Sequence, residues 1–111
     1  MTRFQIILVT CGSKSEAKKI ARALVAGNLA ACVNILTAPV ESIYRWKGSV
    51  ESAKEFLLVI KSTQVRFAAL RREIERLHSY EVPEVIAVPI GKGSPKYLRW
   101  LAESVSGKPR S

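Results

Sequence analysis

Short apolar runs alternate with helically spaced apolar positions along this chain, and the alternation predicts the order of its elements. Residues 4–11, FQIILVTC, form a short run rich in β-branched residues, which is typical of a buried strand. Ser13 and Glu16 then form an S-x-x-E capping box, which predicts a helix start. Four apolar residues at helical spacing indicate the helix itself: Ala17, Ile20, Ala21 and Leu24. Gly27-Asn28 predicts its end.

The middle of the chain predicts one long β-hairpin over residues 31–61. LAACVNIL is apolar at both alternating sets of positions, as a covered strand is, and Pro39 places this strand at an edge or on a bulge. Lys47-Gly48-Ser49 predicts the turn, and the returning strand ends in the apolar run FLLVI. Because a typical strand has about 5–6 residues, a hairpin of this length extends beyond the body of a small domain.

The last third of the chain predicts a helix, a strand and another helix. The first helix begins near Thr63 and ends near His78, and EVIAVPI at 84–90 is the fourth strand. Ser94-Pro95 combines an N-cap with an N1 proline and opens the last helix. The order βαββαβ plus a C-terminal helix predicts an α+β, ferredoxin-like fold with an antiparallel sheet in the order 4-1-3-2.

One face of the sheet has no helices in this plan, although its central strands are apolar on both sides. The residues responsible include Ile7, Val9, Leu57 and Val59. The end of the long hairpin would also project with unpaired edges. We therefore expect an obligate oligomer whose subunits bury their open faces and pair strands. Tyr44 and Trp46 share a face of the projecting strand and are expected to anchor that interface.

Composition narrows the function classes. The 111 residues predict one domain at 1–106 and a flexible tail at 107–111. No apolar run is long enough for a membrane span, and the N-terminus lacks a signal-peptide cleavage site, so a cytoplasmic location is expected. The net charge of +9 makes the binding of nucleic acid or another polyanion a hypothesis to test. Nucleic acid is not expected, because the central strands lack the stacking aromatics of ferredoxin-like RNA-binding domains.

Five blocks of sequence follow one another in a specific order: LAACVNI, SIYRWKGSVE, EFLLVIKS, LHSYEVPEVIAVPI and YLRWL. Taken together, they resemble the CutA divalent-cation-tolerance family, and the resemblance extends from the first strand to Trp100. It implies a ferredoxin-like fold in a tight homotrimer, similar in plan to the PII signalling proteins, and a link to copper and other divalent cations. Tyr44, Trp46 and Trp100 are then expected at the trimer interface. The family usually has proline after the histidine; this chain has Ser79, which loosens the local backbone.

A metal site is the main chemical hypothesis. In a 4-1-3-2 sheet the start of strand 4 lies beside the end of strand 1, which brings His78 and Glu84 towards Cys11. A thiolate, an imidazole and a carboxylate suit copper or zinc better than magnesium, and protonation of the imidazole should weaken binding. Two structural alternatives stay open: His78 complements a helix C-terminus, and Cys11 is a small buried hydrophobe.

Other chemistry has little basis in the sequence. No nucleophile has a positioned base, so the protein is not expected to be an enzyme or to require a cofactor, and divalent copper is the expected ligand. The two cysteines show neither CxxC nor zinc-finger spacing, and Cys32 is expected to pack in the core, too far from Cys11 for a disulfide. An alternative function is a PII-like trimeric signalling module that binds a small anionic metabolite or a protein partner.

Overall fold

Five strands and three α-helices follow one another along residues 3–107, the part of the chain that this computed structural model describes. They are β1 (Phe4–Cys11), α1 (Lys14–Ala26), β2 (Cys32–Ile35), β3 (Val40–Trp46), β4 (Ser49–Thr63), α2 (Phe67–Leu77), β5 (Ile86–Pro89) and α3 (Pro95–Ser104), with a 3₁₀ turn at Gln64–Arg66. The predicted order of helices and strands is confirmed, except that the second strand is broken in two. The predicted tail lies outside the described residues from residue 108 onward.

The sheet is built around β4, which has 15 residues. The strand order is β2-β4-β1-β5, every pairing is antiparallel, and β3 also pairs with β4. The inner half of β4 lies between β1 and β2, whereas its outer half, from Ser49 to Glu55, pairs only with β3. The break between β2 and β3 contains Pro39, which has no N–H to continue a ladder.

The hairpin turn has the geometry that its sequence predicts. Trp46 pairs with Ser49, which leaves Lys47 and Gly48 as a two-residue loop. Both residues have positive φ, 49° and 83°, as a type I′ turn requires. Because this turn matches the twist of the strands, β3 and β4 stay paired up to the tip. The hairpin is almost entirely exposed there, with Ile43 72% and Val50 68% accessible.

The two faces of the sheet differ in burial. Residues that alternate on the helix side are fully buried under α1 and α2: Ile7, Val9, Cys11, Leu58 and Ile60. Residues on the opposite side are only half-buried: Ile6, Leu8, Leu57 and Val59. The expectation that this opposite side carries no helix is wrong at one end, where Leu101 of α3 and Val105 at its C-terminal end pack against Phe4. The rest of this side, called the open face below, retains apolar surface that a monomer only partly covers. None of the described helices is both long and apolar enough to cross a membrane.

Candidate functional site

His78 lies at the junction between α2 and the segment that leads to β5. Its backbone N–H donates to the Ile74 carbonyl at 2.8 Å and caps the helix, and its side chain is fully buried. The ring Nε2 lies 2.8 Å from the Thr10 carbonyl, and Nδ1 accepts the Tyr80 N–H at 3.1 Å. Because a carbonyl can only accept, the proton is on Nε2 and the imidazole is neutral in this arrangement.

Three potential metal ligands meet on the helix side of the sheet. One ligand atom each from Cys11, Glu16 and His78 lies within 4.8 Å of the other two. Cys11 ends β1, Glu16 stands in the first turn of α1, and Glu16 Oε1 is 3.7 Å from His78 Nδ1. That carboxylate oxygen is buried and has no hydrogen-bond partner. We call this group the Cys11–Glu16–His78 cluster.

The electrostatics of the cluster keep the thiol protonated. Burial raises the pKa of Cys11 to about 12, and the negative charges of Glu16 and Glu55 add to the shift. A thiol with such a pKa is a poor nucleophile at neutral pH. It becomes a thiolate there only when a cation compensates the charge, as a bound metal ion does.

Glu16 is the member of the cluster that the sequence did not indicate. Ser13 Oγ accepts the Glu16 N–H at 3.2 Å, as predicted for the helix start. The carboxylate does not return to Ser13, however; its Oε2 accepts the Ser79 N–H at 3.0 Å. Only half of the predicted capping box therefore forms. A proline at position 79 would have no N–H to donate, so Ser79 supplies a contact that ties the junction to α1.

Glu84 does not join Cys11 and His78, which corrects the predicted trio. The ladder between β1 and β5 ends where Leu8 meets Ile86, and continuing it places Glu84 level with Thr10. Because side chains alternate, a residue level with Thr10 points to the open face, whereas Cys11 points to the helices. Glu84 is accordingly exposed and lines a cleft on the open side.

That cleft has a volume of about 700 Å³ and lies at the base of the projecting hairpin. Its lining comes from β1, β3, β4 and the segment before β5: Thr10, Ser42, Ile43, Tyr44, Trp46, Glu55, Tyr80, Glu81, Val82, Pro83 and Glu84. The Tyr80 hydroxyl donates to Glu55 Oε2 at 2.8 Å. Burial and this hydrogen bond to Glu55 raise the pKa of Tyr80. Below we call this feature the acidic cleft.

The other predicted site residues are spread over the surface. Tyr44 and Trp46 are 43% and 41% exposed at the acidic cleft. Trp100 is 45% exposed on α3, with its ring centroid 5.5 Å from that of Tyr97. Cys32 is half-buried rather than packed in the core, with Lys61 Nζ 3.7 Å from its sulfur, and both cysteines are free. Tyr44 and Trp46 thus share the acidic cleft, whereas Trp100 is not part of its lining.

Comparison with known proteins identifies relatives over nearly the whole chain. The family model described as CutA1 divalent ion tolerance protein matches residues 5–104. The divalent-cation tolerance protein CutA of Thermus thermophilus is 45% identical over 100 residues, which are 90% of this chain and 96% of that protein. The chloroplastic protein CutA of Arabidopsis thaliana is 46% identical over 99 residues, but the chain spans only 54% of its length.

Solved structures agree with the sequence comparison. The Cut A1 structure from Thermus thermophilus has a TM-score of 0.90 at 44% identity and covers 93% of this chain and 99% of that one. The CutA1 structure from a psychrotrophic Shewanella species has a TM-score of 0.91 at 37% identity, with 96% and 98% covered. Together with the match over residues 5–104, these similarities show that the chain belongs to the CutA1 divalent ion tolerance protein family.

Proposed function

We propose that the protein is a non-enzymatic homotrimer that binds a divalent cation, first of all copper, in metal tolerance or response. The family is named for divalent ion tolerance. The observation that carries the proposal is the buried, unpartnered Oε1 of Glu16 beside a thiol and an imidazole. A buried carboxylate oxygen without a partner is costly, and a cation would satisfy it.

The chemistry of the donor set fits copper or zinc. A thiolate and an imidazole are preferred by these metals, and a carboxylate adds negative charge. Two local changes would accompany binding. Cys11 would lose its proton, and His78 Nδ1 would release the Tyr80 N–H, because its lone pair cannot serve both partners. The protein thus supplies donors from three separate segments and a site from which water is largely excluded.

Two matched carboxylate variants test this site. Glu16→Gln should weaken binding by at least about tenfold, because it removes a charged ligand, whereas Glu84→Gln should leave the affinity unchanged. Anaerobic calorimetric titration with Cu²⁺ measures both, and Zn²⁺ serves as a redox-inert comparison. If Glu84→Gln lost affinity for Cu²⁺ and Glu16→Gln did not, the ligands would be the predicted Cys11, His78 and Glu84, and the Cys11–Glu16–His78 cluster would be refuted.

The trimeric, PII-like assembly and the ferredoxin-like plan belong to the same proposal. The strand order β2-β4-β1-β5 supports the plan when β2 and β3 are counted as one broken strand. The half-buried open face and the projecting hairpin support an assembly in which Tyr44, Trp46 and Trp100 contact neighbouring subunits.

The assembly has a direct test in solution. The chain has a mass of 12.3 kDa, and light scattering should give about three times that value, because a monomer leaves the apolar residues of the open face only half-buried. The mass should stay constant on dilution into the nanomolar range. A 12.3 kDa species would contradict the proposal.

The alternative of a signalling module for an anionic metabolite gains no support from the acidic cleft. Three glutamates line it, and they would repel an anion. A cytoplasmic location stays a prediction, because the names of relatives place two in the chloroplast and one in the periplasm. Metal binding at the Cys11–Glu16–His78 cluster remains the function that the geometry supports best.

A further inference from the structure

The acidic cleft is negatively charged, although the chain has a net charge of +9. None of the described residues that line it is Lys or Arg, whereas three are glutamates: Glu55, Glu81 and Glu84. Three aromatic residues also line the cleft: Tyr44, Trp46 and Tyr80. This local charge is opposite to that of the molecule as a whole, so it favours a cationic ligand.

Glu55 is the residue that distinguishes the cleft from an ordinary acidic surface. Only 7% of it is exposed, and no Lys or Arg within residues 3–107 forms a salt bridge with it. The single hydrogen bond to its carboxylate in this part of the chain is the one from Tyr80 to Oε2. Carboxylates with so little exposure are rarely left without a positive partner. Oε1 receives no hydrogen bond from the described residues and is not among the fully buried atoms, so it is an acceptor that a ligand in the cleft could use.

The remaining lining defines the shape of the ligand. Ring faces attract cations and also cover alkyl carbon. Tyr44 offers such a face, and Trp46 offers one beside the Lys47 ammonium, which lies 5.8 Å from its ring centroid. Ile43, Val82 and Pro83 add apolar surface. A volume of about 700 Å³ is in the usual range for small-molecule sites, about 300–1,000 Å³. The lining thus suits a cation with an aliphatic body better than a hydrated metal ion.

We infer that the acidic cleft binds an aliphatic di- or polyamine, whose ammonium group donates to Glu55 Oε1 while its carbon chain lies on Trp46 and Tyr44. An unfilled acceptor requires an N–H donor, so a primary ammonium suits it and a quaternary ammonium does not. Glu81 and Glu84, both exposed, provide negative charge for a second ammonium.

This site is separate from the Cys11–Glu16–His78 cluster, which faces the helices, and it does not rest on the metal proposal. Tyr44 and Trp46 are also predicted interface residues, so the cleft would open beside a neighbouring subunit in the proposed trimer. The test therefore uses the full chain in its own assembly.

Calorimetric titration with 1,5-diaminopentane measures the binding directly. We expect saturable binding of one diamine per subunit, with an affinity that falls as ionic strength rises, because the attraction is largely electrostatic. The neutral analogue 1,5-pentanediol has the same length and should show no saturable binding.

Three variants assign the contacts. Glu55→Gln should weaken diamine binding about 10- to 100-fold, the effect of losing a hydrogen bond to a charged group. Glu103→Gln removes the same charge from α3, outside the cleft, and should have no effect. Glu84 is exposed, so Glu84→Gln should leave the fold intact. This variant should weaken binding of the diamine several-fold but leave the affinity for butylamine, which has a single ammonium, unchanged.

Several results would overturn the inference. They are the absence of saturable diamine binding, equal affinity for the diol, and equal affinity in wild type and Glu55→Gln. If a basic side chain of a neighbouring subunit already filled the cleft, saturable diamine binding would be absent. If Glu55→Gln failed to fold, an unchanged diamine affinity in Glu84→Gln would overturn it. Cys11→Ser should bind the diamine normally, so failure of the metal site leaves this test unaffected.

Discussion

Copper should bind this protein about tenfold more tightly for each unit of pH between pH 6 and pH 8, a total of about 100-fold. The reason is the pKa of Cys11, raised to about 12, which leaves the thiol protonated throughout this range. An ion that binds the thiolate must displace one proton. Below the pKa, the thiolate fraction rises tenfold with each pH unit, so the affinity increases with pH.

The control for this prediction is Cys11→Ser, whose hydroxyl does not ionise in this range. Its copper affinity should be lower, and the pH dependence should lose about one proton per ion. Calorimetry in buffers with different ionisation enthalpies counts the protons released. An identical pH slope in wild type and Cys11→Ser would exclude Cys11 as a ligand.

Leu58→Ala should lower the free energy of unfolding by about 2–5 kcal/mol. Leu58 is fully buried on β4, where it pairs with Val9 of β1 on one side and with Ile35 of β2 on the other. It also belongs to the core cluster with residues of α1 and α2. Truncation leaves a cavity between the sheet and both helices, and close-packed neighbours collapse into it only in part.

Denaturant unfolding monitored by circular dichroism, at a fixed subunit concentration, measures this loss. The concentration must be fixed because association adds to apparent stability. Val65→Ala provides the control: Val65 is 80% exposed in the 3₁₀ turn, and its truncation should cost no more than about 0.5 kcal/mol. A loss at Leu58 that is no larger than the loss at Val65 would mean that the core has repacked.

Much of the fold could be predicted from local sequence signals. Ser13 caps α1, Lys47-Gly48 makes the hairpin turn, and Pro95 stands at the first position of α3. Each signal acts through one residue's own backbone preference or side-chain reach, so it is readable without tertiary information. At Pro39 the sequence predicted an edge or a bulge, since proline removes a ladder hydrogen bond wherever it occurs; the structure instead has a complete break between β2 and β3.

The candidate site was only partly predictable because it depends on side-chain direction. Cys11 and His78 were paired correctly from the sheet order, which fixes which strand ends are neighbours. Glu84 was misplaced because one residue of register decides which face a side chain meets. Glu16 was missed because the capping box offered its carboxylate a local role, and the competing Ser79 N–H lies 63 positions away in sequence.

The distance in sequence between Cys11 and His78 has a consequence for folding. An ion bound by both residues would act as a removable cross-link between the end of β1 and the end of α2. Cross-links that close long loops restrict the unfolded chain most, because loop-closure entropy grows with loop length. The concentration of metal around the protein would then help to determine how long β1 and α2 remain joined.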